Sequence, residues 1–404
     1  MGVRSEGDNA FGVYRVFFWF IGVWPLEKKN YFKIFRFSMA IIFQASFLMH
    51  SLAELYLNNG KISDIVDILL FFASALLSTI KHIFLNIHGD KIAENLKCYT
   101  KDWTDVKDET SLKVMRAHVK IYKYQHIIYN SVGYIGTTLF LTRTILLNFI
   151  NQRQLGSNEE IEYQLISHTS YISQEFLTKY YIILIIIQYA QCIYVCTCGA
   201  CTDCFFFGLV FHLCAQFEIL KLEWEKLGVD DSNDRNTVES NDLKIKVNIL
   251  VIKHQKLIKL GKNLEESFNG VVLIQLLISI ILICMSGCSI LVAMMVRDYM
   301  TILLSTNCIS FMISESFIYA YASDYLLSQS ESIVQAAYSS GWYNLENRLK
   351  RNFIFIIMKA QNPLYITAGK FFYITRNTAI QLLKSTFSYI SVLRLTFEVS
   401  HTNI

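Results

Sequence analysis

The chain has 404 residues, 53% of them apolar and 17% charged, with a net charge of +4 and a mean hydropathy of +0.34. That balance lies outside the range of ordinary soluble domains and points to an integral membrane protein. The positive excess is small and no basic run carries interleaved aromatics, which excludes nucleic acid as a partner.

The leader comes first. Val16 to Trp24 is apolar and follows Arg4 and Arg15, but Glu6 and Asp8 interrupt the basic region and no small-residue cleavage site follows, so a secretory signal is not expected. Met1-Gly2 is no myristoylation signal either, because position 6 is Glu. A bilayer core about 30 Å thick needs roughly 20 mainly apolar residues per helix. Seven such stretches follow: Phe35 to Leu57, Asp64 to Leu85, Tyr124 to Phe149, Phe176 to about Val210, Phe268 to Val296, Tyr299 to Leu327 and Thr367 to Leu395. The fifth has no charged side chain from Ser267 to Val296, whereas the second and seventh contain lysine or arginine.

Basic loops stay on the cytoplasmic side during insertion. Lys and Arg number four in the leader to Tyr31, seven in 88–121, nine in 216–266 and four in 328–363. The alternate loops hold one each, Lys61, Arg153 and Arg297. This asymmetry places the amino terminus in the cytosol and the carboxyl terminus outside, opposite to the seven-helix receptors that couple to G proteins. The expected fold is therefore an all-α integral membrane protein of seven helices with cytosolic extensions. Its parts are a cytosolic leader (1–34), helices one to four (35–220), a cytosolic loop and helix (221–267), helices five and six (268–327), a further cytosolic helix (328–363) and the last helix with its tail (364–404).

The cytosolic connections carry structure of their own. Ile245, Ile249, Ile252, Leu257, Leu260 and Leu264 recur at helical spacing and extend the fifth span downward. Asn344 to Gln361 reads as an amphipathic helix, with Leu345, Leu349, Phe353 and Ile356 opposite Arg348, Lys350 and Arg351. Gly228 to Asp242, polar and acidic, reads as disordered.

The chain has two prolines, Pro25 and Pro363. The residue before a proline avoids helical geometry, so Asn362-Pro363 breaks the helix there, with Gly369 as a second weak point. The helix beyond carries Asn377, Gln381, Ser385, Ser388, Val392 and Thr396 at spacings of three and four, on one face. Polar groups facing lipid lack partners, so this stripe faces protein or water. Packing against neighbouring helices is one account, since hydroxyl residues are common at such interfaces. Copies of the helix around a water-filled path, closed at Val392 by dewetting, is the other.

This region resembles the insect odorant receptor family: Ala337-Tyr338 followed by Trp342, Gln361-Asn362-Pro363, Ala368-Gly369-Lys370-Phe371 and Ser388-Tyr389, with Ser328-Gln329-Ser330 upstream and Gly22-Val23-Trp24-Pro25 near the start. Ser388 to Leu393 is worded like ant and bee members. The resemblance covers essentially the whole chain and is most specific in its last 80 residues. It implies the odorant-binding subunit of a ligand-gated, poorly selective cation channel, joined with a shared coreceptor in a heterotetramer in the dendritic plasma membrane of olfactory sensory neurons. It implies that cytosolic helices, with Tyr338, Trp342, Gln361 and Pro363, form an anchor between subunits. It also implies that the last helix lines the pore through Gln381, Ser385 and Ser388, with gate positions at Val392 and, a turn later, Thr396. Thr396 departs from an apolar gate and Arg394 is unexpected beside a cation path. The gustatory receptors, the rival within the superfamily, usually end this helix with Thr-Tyr and a later Gln-Phe, where this chain has Ser-Tyr.

With that topology, the outer halves of spans two, three, four and six can enclose a pocket for a small, mostly apolar volatile. Depth assigns to it Phe72 and Ala75, Tyr134, Thr138 and Leu141, Tyr181, Leu184 and Gln188, and Asn307 and Phe311. Ordinary helix packing is the competing account for each aromatic.

Cys192, Cys196, Cys198, Cys201 and Cys204 crowd span four, with Cys214 and His212 beyond. On a helix they point in several directions, and small apolar packing suits them better than a metal, so neither metal nor cofactor is expected. Lys81, Arg143 and Lys179 are read as reaching the headgroups from span ends. Glu315 is read as facing a polar partner or cavity, and Asp203 as paired with a base. No phosphate-binding glycine loop, paired metal-ligand histidines or nucleophile elbow marks an enzyme. No inverted repeat marks a transporter.

Overall fold

A computed structural model describes residues 10–57, 62–106, 108–154, 163–167, 169–226, 237–340, 342 and 347–402 of the chain. Ten helices run in order: α1 (Gly12–Phe20), α2 (Tyr31–Leu57), α3 (Ile62–Ile87), α4 (Gly89–Asp105), α5 (Glu109–Gln154), α6 (Gln174–Lys226), α7 (Thr237–Val296), α8 (Tyr299–Ser339), α9 (Asn347–Ala360) and α10 (Arg376–Thr402). A short antiparallel pair, β1 (Thr367–Ala368) and β2 (Phe372–Tyr373), precedes α10. By length and composition α2, α3, α6, α7 and α8 can cross a membrane. The helices α5 and α10 are long enough too, but Arg143 in one and Arg376, Lys384 and Arg394 in the other dilute their apolar character.

The 60 residues of α7 run without interruption, about 90 Å at 1.5 Å per residue, three times the thickness of a bilayer core. The downward extension of the fifth span is thus one continuous rod. Its Leu257, Leu260 and Leu264 are buried, whereas Ile245, Ile249 and Ile252 lie on a different, exposed face. Of the acidic stretch read as disordered, 228–236 lies outside the described residues, and Thr237 to Asp242 is helical, the first turns of α7.

A helix that is apolar all round belongs inside, and α6 obeys this. Every residue from Ala200 to Ala215 is buried, with Phe205, Phe206 and Phe211 at 0% exposure, and α5, α8, α3 and α7 pack around it. The leader contributes to the same core. Phe11, Tyr14 and Phe18 insert between α4, α5 and α6, with Phe18 4.6 Å from Phe205 and Phe11 5.7 Å from Tyr122 between ring centroids. Gly22 then turns the chain at φ +74, its Cα against the backbone of Lys33 and Phe37, where a side chain would not fit. The carboxylate of Glu27 and the carbonyl of Trp19 both accept from Arg36, which is buried beneath the turn.

The break at Asn362-Pro363 is present: α9 ends at Ala360. Its apolar side, Phe353, Ile356 and Ala360, is buried, with Trp224 edge-on to Phe353 at 5.3 Å. The last helix begins at Arg376 and not at Thr367. Gly369 and Lys370 both take positive φ, +56 and +64, which turns 367–373 into a hairpin. The hairpin docks on α7 through Gly369 N donating to Asn269 O at 2.9 Å. Thr375 then caps α10, its hydroxyl accepting from Thr378 N at 3.2 Å.

Candidate functional site

A cavity of about 170 Å³ lies between α3, α5, α6 and α8, with Phe47 of α2 and Leu282 of α7 completing its wall. Small residues make the space. Gly133, Gly136, Gly199 and Ala200 line it, and a Cβ on Gly136 would strike the amide of Asn307, while one on Gly133 would sit 3.2 Å from Phe311. Four rings, Phe47, Phe71, Phe140 and Phe311, line it as well. Phe71 meets Phe140 edge-on at 5.1 Å and Phe47 at 5.9 Å, and Phe311 stacks on Tyr129 at 4.6 Å. The hydroxyls of Ser74 and Thr137 are spent on carbonyls of their own helices, and that of Ser78 on Val195 O, so the walls present little polarity.

One end differs. Lys81 is fully buried and its ammonium donates to Asp203 Oδ1 and Glu315 Oε1, both at 2.6 Å. Asp203 also accepts from Tyr319 at 2.5 Å and from Tyr129 at 3.3 Å. Expectation and structure part company over Lys81: it does not reach the headgroups. Two carboxylates on neighbouring helices hold it inside, because an ammonium left in apolar surroundings costs far more than the reach to them. Asp203 does pair with a base and Glu315 does line a cavity. Arg143 likewise turns inward, 3.8 Å from Asp67 and 3.7 Å from Asp298, and Lys179 lies over the Tyr180 ring.

Of the residues assigned to the pocket by depth, Asn307 and Phe311 line the cavity. Phe72 and Ala75 sit one position round α3 from Phe71 and Ser74, which do. Tyr134, Thr138 and Leu141 are each one step round α5 from Gly133, Thr137 and Phe140. Tyr134 bonds Thr197 at 2.9 Å, and Thr138 donates to the Tyr134 carbonyl. Tyr181 accepts at 2.8 Å from Asn148, which also donates to Gln164 O, and Gln188 accepts from Ser167 N at 3.2 Å, so both help to hold the segment 163–167. Leu184 and Leu141 pack in that same outer cluster. Residues not assigned to the pocket from sequence, Lys81, Gly133, Gly136, Cys192 and Cys196 among them, line the cavity. The glycine spacing on span three, Gly133 and Gly136, was the available signal.

A second, polar space of about 250 Å³ lies under that segment, lined by Glu54, Asp64, Asp67, Arg143, Gln164 and Gln174. Phe71 lines both spaces.

On α10 the predicted stripe, Asn377, Gln381, Ser385, Ser388 and Val392, is exposed, Val392 at 58%. The opposite side is packed: Ala379 and Thr386 are buried, and Ile390 rests against Gly287 of α7, 2.7 Å from where a Cβ would stand. Ser385 and Ser388 donate to carbonyls one turn back. The side chain of Thr396 lies outside the described residues. Asp324 of α8 accepts from the backbone N of Arg376 at 2.9 Å and from its guanidinium at 2.8 Å, tying the start of α10 to the helix that carries Asn307, Phe311 and Glu315. In the expected anchor, Trp342 stacks on Phe353, Tyr338 and Gln361 are exposed and Pro363 is half-buried.

All ten cysteines carry free thiols, and no cluster of three or more metal-ligating side chains occurs among the described residues.

The whole architecture has counterparts. The insect olfactory receptor OR5 from Machilis hrabei, solved in complex with eugenol, superimposes with a TM-score of 0.77 over 98% of each chain at 14% identity. A second structure of that receptor superimposes equally well, over 97% of this chain and 99% of that one. An all-helical membrane fold, shared with that receptor, is thereby defined. The family profile described as 7tm Odorant receptor matches residues 61–387, well over half of the sequence, and the chain belongs to the insect odorant receptor family. Relatives include odorant receptor 13a of Drosophila melanogaster, 27% identical over 252 residues (59% of this chain, 58% of that protein). Odorant receptor Or1 of Anopheles gambiae is 23% identical over 216 residues (48% and 51%). The chain spans about half the length of the curated relatives it matches.

Proposed function

We propose that the chain is the odorant-binding subunit of a ligand-gated, poorly selective cation channel, seven times through the plasma membrane with its amino terminus inside. It assembles with a shared coreceptor into a heterotetramer in the dendritic membrane of olfactory sensory neurons. The observation that carries this reading is the division of α10 into a packed side and an uncovered side bearing Asn377, Gln381, Ser385, Ser388 and Val392. A helix shielded from lipid by its own chain on one face only, with polar groups on the other, suits a conduit shared with other subunits. The ring-lined cavity on the same bundle suits a small volatile. A ligand bound there shifts the channel by as much as its affinity differs between the closed and open states. Through Asp324 the helix that lines the cavity also holds the first turn of α10, a direct route for that bias.

The test is current recorded from cells expressing the chain with and without the coreceptor while volatile esters, alcohols and hydrocarbons are applied. Odorant-evoked current that requires the coreceptor is expected. Silence across a broad panel, with surface delivery confirmed, overturns the reading. A tag after Ile404 is expected to stain on intact cells; staining only after permeabilisation overturns the orientation.

A further inference from the structure

The bonds at the charged end of the cavity do not balance. An ammonium offers three N–H donors, and Lys81 uses two of them, on Asp203 and Glu315. Asp203 accepts three bonds. Glu315 accepts one, on Oε1; its Oε2 is buried and accepts from no donor among the described residues. Glu315 is 2% exposed, and both it and Lys81 line the cavity. A buried carboxylate oxygen left unpaired is costly, about 1–3 kcal/mol or more. The end wall thus has an acceptor without a donor, next to a cation with a donor to spare.

We infer that this end takes the hydroxyl of an alcohol or phenol, donating to Glu315 Oε2 and accepting from Lys81 Nζ. The inference rests on the reading of the cavity as an odorant site and narrows it to a chemical class. A hydroxyl is a donor and an acceptor on one atom. An ether or ketone can accept from Lys81 but leaves Oε2 bare, and a protonated amine would place a second cation against the ammonium. Size narrows the class further. An apolar protein cavity of about 150 Å³ holds benzene, so about 170 Å³ holds a six-membered ring with a one- or two-atom substituent. The rings of Phe47, Phe71, Phe140 and Phe311 suit an aromatic body. On α8, Asn307, Phe311 and Glu315 share a face at intervals of four, so the polar end lies about 12 Å from Asn307, and the ring fills the length between.

Benzyl alcohol, its isomer methoxybenzene and toluene share a ring that fits the cavity and differ in what they offer this end. Applied to cells expressing the chain with the coreceptor, benzyl alcohol is expected to reach half-maximal current at a concentration at least about tenfold below that of the other two, the effect of a bond to a charged group. In Glu315→Gln the alcohol is expected to lose most of that advantage while toluene keeps its own potency. Equal potency of the three on the wild-type receptor overturns the hydroxyl inference and leaves the odorant site standing. So does silence to benzyl alcohol alongside responses to esters or alkanes. Silence to every volatile, with the receptor at the surface, removes both. Should Glu315→Gln fail to reach the surface, the wild-type ranking decides alone.

Discussion

Replacing Lys81 by Met tests whether the buried charges in the bundle act as one unit. The substitution keeps the length of the side chain but removes an ammonium that bonds two carboxylates at 2.6 Å with essentially no access to water. Breaking a buried pair from one side costs about 3–5 kcal/mol, because the charge left behind has no compensation. Here two carboxylates are stranded side by side, so the upper end applies. At roughly 2 °C per kcal/mol, a value suited to larger domains, the melting midpoint in detergent falls by about 10 °C. The assay is thermal unfolding of the tagged receptor followed by size-exclusion of the soluble fraction. The triple variant Lys81→Met, Asp203→Asn, Glu315→Gln removes all three charges and is expected to recover more than half of that loss. A single variant within 2 °C of the wild type, or a triple variant no more stable than the single, refutes the argument.

Gly136→Ala drives a methyl group into Asn307 and is expected to abolish odorant-evoked current while the receptor still reaches the surface; an unchanged dose response removes the cavity from the binding model. Gly287→Val presses on Ile390 and so on the packed side of α10, and is expected to change resting conductance measured without odorant. Asp324→Asn weakens the hold on Arg376 and the start of α10, worth about 1 kcal/mol for a helix cap, and is expected to shift the odorant concentration for half-maximal current by several-fold. In the part of α7 that precedes its apolar stretch, burial against α6 and α9 holds the His254 imidazole down at about 4, with Lys359 adding in the same direction. The unfolded chain therefore takes up this proton first as pH falls from about 6.5, and roughly 3 kcal/mol of stability present at neutral pH is lost by pH 4. Melting midpoints of the wild type and His254→Gln are expected to converge over that interval.

Hydropathy located the long helices because burial in lipid or core leaves a composition signal over 20 residues, and Pro363 marked the break because its effect on the preceding residue is local. The start of α10 was misplaced by nine residues. Thr367 to Thr375 is as apolar as a helix and takes its hairpin from contacts with α7 at Asn269, which local sequence does not encode. Lys81 was misread for a similar reason: its partners lie 122 and 234 residues away. Depth along a span was legible, rotation about its axis was not. One residue is 100° of rotation, so Thr138 in place of Thr137 turns a lining position into a flanking one. Side chains were sought where the cavity exists because they are missing, at Gly133 and Gly136. The leader helix α1 went unread because nine residues, five of them Phe, Tyr or Trp, carry no periodicity long enough to distinguish a buried wedge from an anchor.

Phe71 lines both the apolar cavity and the polar space beneath residues 163–167, so its ring has one of them on either side. A wall made of a side chain opens by rotation about χ1, a motion far faster than the microseconds to milliseconds over which helices rearrange. On the proposed function, arrival and departure of a volatile through this door would equilibrate many times within a single closed interval. Under that regime a receptor follows fluctuating plumes at the pace of its own conformational change, and the dwell time of any one molecule sets no ceiling on how quickly the response ends.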